Sequence, residues 1–276
     1  MRIVDGGRRR LRDRIGTERL ARLRLARAVA RSHQHVLMFS HMRSYSTLIG
    51  HLLGSHPQIS GYSEQQQSYR TFADLSGLCY GIWKVSDHRV DGDYLFDKIL
   101  HDGHVVSDRV LERDDVLPIY AVREPIASLR SVVAMARAKN RPAWQAPEDA
   151  ARHLHKRYAA LRELTSRRPE AAALFTDSVV IEPEPTLAGL STYLGLRTPV
   201  SPSYASFPKT GVSGFGDPTG PIAAGRIVAD RPGHAVDVPP DLAARLVEDH
   251  RRTCDLLVSR CSTVLGTPVD PHDGAF

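Results

Sequence analysis

Cysteine is scarce in this sequence: among 276 residues, only Cys79, Cys254 and Cys261 are cysteines. Three thiols cannot form the paired framework of a disulfide-stabilised domain, and their spacing matches no metal-ligand cluster. Stable disulfides are typical of oxidising compartments, so a small odd set indicates a reduced protein. We therefore expect a cytoplasmic location.

Long apolar runs are absent as well. No stretch approaches the roughly 18–20 apolar residues that span a bilayer, and the N-terminal arginines are not followed by the apolar segment of a secretory leader, so we expect none. Residues 1–32 carry eleven arginines and three acidic residues, which predicts a solvated basic arm or helix. A contact with an acidic partner, a membrane surface or another subunit is the alternative, and no particular oligomeric state is indicated.

The remaining residues, 33–276, alternate between buried strands and amphipathic helices. This pattern predicts one α/β domain with a mostly parallel central sheet flanked by helices. The predicted strands are His35–Phe39, Val116–Val122 and Ala173–Ile181. The predicted helices are Ser44–Leu53, Ala127–Ala138, Glu148–Leu164, Thr186–Leu194 and Leu242–Val258. Residues 201–238 are rich in Gly, Pro and Ser, which indicates irregular structure.

The first predicted strand runs into a loop and helix with the sequence "SHMRSYSTLIGHLLGSHP" (40–57). A loop between a buried strand and a helix suits an anion, because the helix N-terminus offers unpaired N–H groups and the positive end of a dipole. Ser44, Ser46 and Thr47 would add hydroxyl donors and Arg43 a guanidinium. The prediction is a P-loop-like phosphate-binding loop. The alternative is that these hydroxyls only cap the helix.

The loop lacks glycine and the Gly-Lys-Ser/Thr ending with which nucleotide triphosphatases hold phosphate and Mg²⁺. The strand Val116–Val122 also ends in Arg123, a cation where a metal-binding carboxylate would be expected. Both features indicate a reaction on an anion without a metal. In "REPIASLRS" (123–131), Arg123 and Ser131 lie eight residues apart and can converge on a second phosphate. A surface ion pair and a solvent-facing serine are the alternative for these two residues.

The pair "MRSYSTL" (42–48) and "REPIASLRS" resembles the two phosphate-binding motifs of sulfotransferases that use 3′-phosphoadenosine-5′-phosphosulfate (PAPS). The resemblance implies PAPS as donor, 3′-phosphoadenosine-5′-phosphate (PAP) as product, and no metal. It assigns the 5′-phosphosulfate to the first loop and the 3′-phosphate to the second motif. The implied cofactor-binding residues are Arg43, Ser44, Tyr45, Ser46, Thr47, Arg123 and Ser131.

Three further stretches resemble the bacterial and Golgi-type branch of that family: "HPQISGYSE" (56–64), "YLFDKILH" (94–101) and "IEPEPTLAGLSTYLGL" (181–196). The first implies that Glu64 is the catalytic base. The second implies a catalytic role for Lys98, which would act with Arg43 on the leaving oxygen. His101 and His104 remain the competing bases, as in the cytosolic branch.

The sequence departs from the family's motifs at two positions. Tyr45 replaces the usual loop glycine, so its side chain must point away from the phosphate or toward the acceptor. Thr176 stands where the family often has a tyrosine, so one cofactor contact is absent. The Gly-rich "SGFGDPTGPIAAGR" (213–226) would cover the nucleotide or form an ordinary surface loop.

The resulting hypothesis is a sulfotransferase acting on a hydroxyl of a small-molecule, lipid or carbohydrate acceptor, without nucleic acid as a partner. The alternatives are a P-loop-type nucleotide kinase or triphosphatase, and a non-catalytic binder of anions or nucleic acid. No helix-turn-helix, zinc-finger or aromatic RNA-binding signature favours the binder. The acceptor pocket is expected in the stretches 61–90 and 201–238, both interpreted as irregular. Aromatic residues that could line it, or pack in the core instead, are Tyr62, Tyr69, Phe72, Trp83 and Trp144.

Overall fold

The computed structural model describes residues 32–86, 90–208, 210, 220–228 and 233–269. The predicted basic arm lies outside the described residues except for Ser32, and so does the first half of the Gly-rich stretch 213–226. Within the described part of the chain, no helix combines the length and apolar character needed to cross a membrane.

Six strands form one sheet, and every strand runs parallel to its neighbours. Their order across the sheet is β2-β3-β1-β4-β5-β6. The strands are β1 (Gln34–Phe39), β2 (Ile59–Ser60), β3 (Tyr94–Ile99), β4 (Val116–Val122), β5 (Ala172–Phe175) and β6 (Thr263–Leu265). The predicted α/β class with a parallel central sheet is therefore confirmed.

Helices connect the strands and cover both faces of the sheet. They are α1 (Ser46–Gly54), α2 (Phe72–Val85), α3 (Asp108–Leu111), α4 (Pro125–Ala138), α5 (Pro147–Arg167), α6 (Ser178–Ile181), α7 (Pro183–Tyr193), α8 (Gly220–Ala223) and α9 (Pro240–Arg260). A single 3₁₀ turn, Pro142–Trp144, precedes α5.

The central strand shows why the sequence forms a two-sided core. Successive side chains of a strand point to opposite faces, so Leu37 and Phe39 pack with α2, α4, α5 and α9, whereas Val36 and Met38 pack with α1 and α7. A strand buried on both faces reads as an unbroken apolar run. The sequence therefore predicted β1 and β4 to within one residue.

Two segments differ from the prediction. The stretch 173–181 is not one strand: β5 ends at Phe175 and α6 begins at Ser178. The turn places Asp177 where it accepts a hydrogen bond from the Glu124 amide, 2.7 Å away, and an extended chain would carry it past that position. The stretch 61–90 is not irregular throughout, because α2 occupies 14 of its residues and begins with a capping box between Thr71 and Asp74.

The order of the strands marks where a ligand can bind. The chain leaves β1 toward β2 on one side of the sheet and leaves β4 toward β5 on the other. In open α/β sheets, ligands occupy the crevice at the carboxyl ends of the strands where the connections diverge in this way. The loops after β1 and β4 flank that crevice, and these are the two predicted anion-binding loops.

Candidate functional site

The loop between β1 and α1 has an unusual backbone. Arg43 and Tyr45 both adopt left-handed conformations, with φ of 63° and 55°, which side-chain-bearing residues rarely occupy. Because the left-handed Tyr45 cannot be part of a right-handed helix, the helix begins at Ser46 and not at the predicted Ser44. The tight turn aims the N-terminus of α1 at the crevice.

The hydroxyl groups of the loop divide into two sets. Ser44 is fully buried, accepts a hydrogen bond from Ser40 at 2.7 Å and donates one to the His41 carbonyl at 2.8 Å. Its hydroxyl therefore holds the shape of the loop. Ser46 and Thr47 lie in the first turn of α1, with Thr47 the more exposed of the two. They are the hydroxyls that a ligand at the helix N-terminus would meet first.

The two predicted anion-binding motifs are in direct contact. The Arg43 guanidinium donates through Nε to the Ser131 hydroxyl at 2.8 Å, and Arg123 donates through Nη1 to the Arg43 carbonyl at 3.0 Å. Arg43 comes from the loop after β1, whereas Arg123 and Ser131 belong to the end of β4 and to α4. The fold thus brings two guanidinium groups and a hydroxyl to one place.

Tyr45 occupies the position of the missing glycine, and its ring covers Arg123. The Arg123 guanidinium carbon lies 4.0 Å from the ring centroid, which is cation–π geometry. Arg123 also donates through Nη2 to the Tyr45 hydroxyl at 3.0 Å. The side chain therefore points toward the second anion-binding motif, where the sequence left its direction open.

Arg123 is held on its other side by Asp177, a residue that the sequence analysis missed. Its Nε lies 3.4 Å from Asp177 Oδ1, and Asp177 Oδ2 accepts from the Glu124 amide. Burial raises the pKa of Asp177, and the charge of Arg123 opposes that rise. The sequence does contain a signal for this residue, because Asp177 lies two positions after the end of β5. The signal was missed because the predicted strand, which ran to Ile181, continued through Asp177. Thr176 beside it donates its hydroxyl to the Val122 carbonyl at 3.2 Å and so stays within the sheet.

Lys98 lies in β3 and is buried, with 2% of its surface exposed. Its ammonium group donates to the carbonyl of Ser46 at 3.3 Å, so it lies beside the first turn of α1. Burial lowers the pKa of Lys98, while the Glu64 and Asp97 carboxylates raise it in part. A buried lysine at a helix N-terminus provides positive charge at low dielectric, where it acts most strongly on an anion.

Asp97, next to Lys98, accepts three hydrogen bonds and so links the segments that surround it. Its carboxylate accepts from the amides of Gln65 (2.9 Å) and Lys98 (2.8 Å) and from the Tyr69 hydroxyl (2.5 Å). Burial nevertheless raises the pKa of Asp97 to about 7. Tyr69 is fully buried here, so this predicted pocket aromatic is part of the core.

Glu64 follows β2 and lies close to Lys98. Burial raises the pKa of its carboxyl, and the charges of Lys98, His104 and Arg157 oppose that rise. Among the described residues, its buried Oε1 has no hydrogen-bond partner. The His101 Nε2 atom is 3.7 Å from this oxygen. Two of the three candidate bases of the sequence analysis, Glu64 and His101, are therefore neighbours, and the buried Glu64 carboxyl can accept a further hydrogen bond.

Arg157 is a second residue that the sequence did not reveal. It reaches from α5 to the carboxyl ends of two strands, donating to the carbonyls of Ser40 at 2.8 Å and Ile99 at 3.1 Å. It also pairs with Asp102 at 3.1 Å. An arginine in an amphipathic helix reads as solvent-exposed, so only the tertiary structure shows that this one is buried.

The remaining predicted aromatics lie on different sides of the molecule. Tyr62 stacks on Phe207, with ring centroids 4.1 Å apart, and both rings contact His51. Trp83 stacks on Tyr80 within α2. Trp144 lies near His153 and lines a cavity that also includes His101. Within the described ranges, no group of three or more His, Cys, Asp or Glu side chains is arranged to hold a metal ion.

Comparisons with known proteins give a structural likeness but no match in sequence. No protein-family model and no curated protein sequence matches the chain. Among solved structures, the chain is similar to a sulfotransferase domain from the olefin synthase of Synechococcus PCC 7002, with 15% sequence identity and a TM-score of 0.47. That match covers 82% of this chain and 93% of the other. The function is accordingly inferred from the geometry of the site.

Proposed function

We propose that the protein is a sulfotransferase that moves a sulfuryl group from PAPS to a hydroxyl group of a small-molecule, lipid or carbohydrate acceptor. The observation that carries this proposal is the contact between Arg43, Ser131 and Arg123 at the crevice of the sheet. Two guanidinium groups from two loops suit a ligand with two separate anionic groups. PAPS has a phosphosulfate at one end of its ribose and a phosphate at the 3′ position.

The residues present fit the two ends of that donor. Arg43, the first turn of α1 with Ser46 and Thr47, and Lys98 would hold the 5′-phosphosulfate. Arg123, fixed by Tyr45 and Asp177, and Ser131 would hold the 3′-phosphate. When bound, PAPS supplies an activated sulfuryl group whose transfer needs positioning and charge stabilisation more than covalent help from the protein. Ser44 would act indirectly, through the shape of the loop.

Positive charge is concentrated where the leaving group would develop negative charge. In an in-line transfer, the acceptor oxygen forms its bond to sulfur as the bond between sulfur and the 5′-phosphate oxygen breaks. Lys98 contacts the first turn of α1 and Arg43 lies in the loop that precedes it; both would stabilise the charge that remains on that oxygen. We propose that these cations replace a metal in this role.

Glu64 is the base in this proposal. The acceptor hydroxyl must lose its proton during the attack, and the Glu64 carboxylate would receive it. Its buried Oε1, which makes no hydrogen bond with any residue described, is positioned to accept one. The raised pKa of this carboxyl brings its proton affinity closer to neutral pH, which suits a general base. His101 and His104 remain the alternative bases.

Calorimetric titration with PAP in EDTA tests the proposal directly. We expect binding that needs the 3′-phosphate, so that PAP binds and AMP binds at least about tenfold more weakly, a loss of roughly 1.4 kcal/mol. Arg123→Ala should weaken PAP binding, whereas the matched control Arg251→Ala should not, because Arg251 is exposed on α9 and pairs with Glu248.

Two results would refute the proposal. If PAP fails to bind while ATP binds in the presence of Mg²⁺, the protein is a nucleotide kinase or triphosphatase. If PAP fails to bind while generic DNA binds with a steep salt dependence, the protein is a nucleic-acid binder.

A further inference from the structure

A cavity of about 300 Å³ adjoins the proposed site and has no role assigned so far. It lies between the end of β3, the 3₁₀ turn before α5 and the first three turns of α5. Its lining residues are His101, Asp102, Trp144, Asp149, His153 and Lys156, with Ala143 and Arg152 at the rim. None of these residues belongs to the proposed donor-binding set.

The cavity adjoins both the proposed base and the loop that would bind the sulfuryl donor. His101 lines the cavity, and its Nε2 lies 3.7 Å from the Glu64 carboxylate. His153 lines it too, and its Nε2 is 3.5 Å from the amide of Met42, next to Arg43 in the phosphate loop. A molecule bound in the cavity therefore lies beside the base and beside the loop that would hold the sulfuryl donor. That is the position an acceptor must occupy.

The inner wall of the cavity is rigid. The rings of Trp144 and His153 have centroids 6.2 Å apart, and those of His153 and His101 are 6.1 Å apart, so three rings form a row that ends at Glu64. Asp102 is fixed by Arg157, which is bonded to the ends of β1 and β3. Burial lowers the pKa of His153 to about 4 and also lowers that of His101. Both imidazoles are thus neutral near neutral pH and can each donate and accept a hydrogen bond.

The chemistry of the lining narrows the class of acceptor. Pockets for drug-like ligands are mostly apolar with a few polar groups, but here one indole and one methyl group accompany six side chains that can hydrogen bond. Asp102 and Asp149 accept hydrogen bonds, Arg152 and Lys156 donate them, and His101 can do either. His153, whose Nε2 accepts from the Met42 amide, has its other ring nitrogen left to donate. A ligand with several hydroxyl groups matches such a wall, and the apolar face of its ring would cover the indole of Trp144.

The volume agrees with a single ring. At roughly 30 Å³ per water molecule, the cavity holds about ten waters, which leaves room for one hexose ring with its hydroxyl groups. We propose that this cavity is the acceptor site and that the acceptor presents a sugar ring there, with the reacting hydroxyl at the His101–Glu64 end. This inference rests on the proposed sulfotransferase function and selects the carbohydrate among its acceptor classes.

Tryptophan fluorescence tests the binding site without requiring turnover. The chain has two tryptophans, so Trp83→Phe leaves Trp144 as the only one. With PAP present, we expect glucose, galactose and N-acetylglucosamine to change this fluorescence saturably, and phenol not to change it. A response to phenol alone would overturn the ligand class, and no response to any of these probes would overturn the site.

Transfer of radiolabelled sulfuryl from PAPS to the responding sugar tests its role. Trp144→Ala should lower kcat/KM for the sugar about tenfold, the loss expected for one aromatic contact, while the dissociation constant of PAP stays unchanged. The matched control Trp83→Ala should change neither quantity, because Trp83 stacks on Tyr80 within α2. If Trp144→Ala weakens PAP binding, the cavity belongs to the donor and the inference fails.

The two proposals fail in different ways. If wild-type protein does not bind PAP, the sulfotransferase function itself is wrong. If PAP binds and Trp144→Ala transfers sulfuryl groups as well as wild type does, only the acceptor site is wrong.

Discussion

Glu64 can be tested by a substitution that preserves its shape. Glu64→Gln removes the proton-accepting oxygen but keeps the volume and polarity of the side chain, so PAP binding should be retained. Turnover should fall by roughly 10²–10⁴-fold, the usual contribution of a general base. Single-turnover transfer together with PAP titration would measure both quantities. Unchanged turnover would eliminate Glu64 as the base. A loss of turnover in His101→Gln, made in parallel, would then identify the His101 imidazole as the base.

Tyr45 should contribute to recognition of the 3′-phosphate through its hold on Arg123. Tyr45→Gly removes both the cation–π contact and the hydrogen bond, so PAP affinity should fall on the order of tenfold. Tyr45→Phe keeps the ring and should lose about half of that free energy. AMP lacks the 3′-phosphate, so its affinity should not change.

The glycine variant also separates stability from function at this residue. Tyr45 has a φ of 55°, and a non-glycine residue in that conformation costs about 1 kcal/mol or more. Tyr45→Gly removes this cost, which offsets the loss of the two contacts with Arg123 in the folded protein, so the unfolding temperature should change little even though the variant binds PAP more weakly. An equal loss of affinity for PAP and AMP would show that Tyr45 shapes the whole loop and does not act through Arg123.

At the scale of elements, Arg157 links α5 to the strand ends that carry the site. Arg157→Met would leave the carbonyls of Ser40 and Ile99 without this donor. The Ile99 carbonyl keeps the hydrogen bond from the Ser40 amide, so the Ser40 carbonyl is the acceptor that loses its donor. An unsatisfied buried acceptor costs roughly 1–3 kcal/mol, so we expect a loss of about 1–3 kcal/mol in the free energy of unfolding. Urea denaturation would measure it.

Arg152→Met is the matched control for that experiment. Arg152 lies on the same helix, but its side chain is 66% exposed and pairs only with Asp149. Exposed ion pairs contribute little, so the loss should stay below about 0.5 kcal/mol. Equal losses in the two variants would contradict the role assigned to Arg157.

The sequence predicted elements where burial alone determines the pattern. β1 and β4 are continuous apolar runs, and α4, α5 and α9 begin within two residues of their predicted starts. β3 was not predicted as a strand, because Asp97 and Lys98 interrupt its apolar run even though both are buried. β2 and β6, with two and three residues, are too short to show any period.

The contacts within the site were harder to predict than the residues that form it. The resemblance implied that Arg43, Arg123 and Ser131 bind the two ends of one cofactor. It did not indicate Asp177, Arg157 or the stacking of Tyr45 on Arg123. Those contacts depend on side-chain directions and on long-range packing, which a local pattern does not contain.

At the scale of the molecule, the buried histidines predict how stability changes with pH. Burial lowers the pKa of His41 to about 3 and those of His153 and His250 to about 4. In the unfolded chain these imidazoles titrate near pH 6.5. Between those values the unfolded state binds more protons, so the free energy of unfolding falls as the pH falls from 6.5 toward 4.

Asp97 acts in the opposite direction. Burial raises its pKa in the folded state to about 7 from the ordinary value of 3.8, so the folded state binds this proton first and acidification below pH 7 stabilises it. From pH 7 to pH 5, each of the three histidines should lower the free energy of unfolding by about 2 kcal/mol, and Asp97 should raise it by about the same amount. Urea denaturation should therefore show lower stability at pH 5, and equal or higher stability there would contradict this set of charge states.

The placement of β1 in the middle of the sheet sets a condition on biosynthesis. β1 pairs with β3 and β4, whose first residues follow its own first residue by 60 and 82 positions. A nascent chain emerging from the ribosome therefore exposes the apolar β1 until more than a hundred residues have been made. Arg123 then lacks its partner Asp177 until the chain has grown from residue 123 to residue 177. Such long-range pairing folds slowly and leaves unpaired strand edges open to aggregation, so newly made chains would benefit from a chaperone until β5 has emerged.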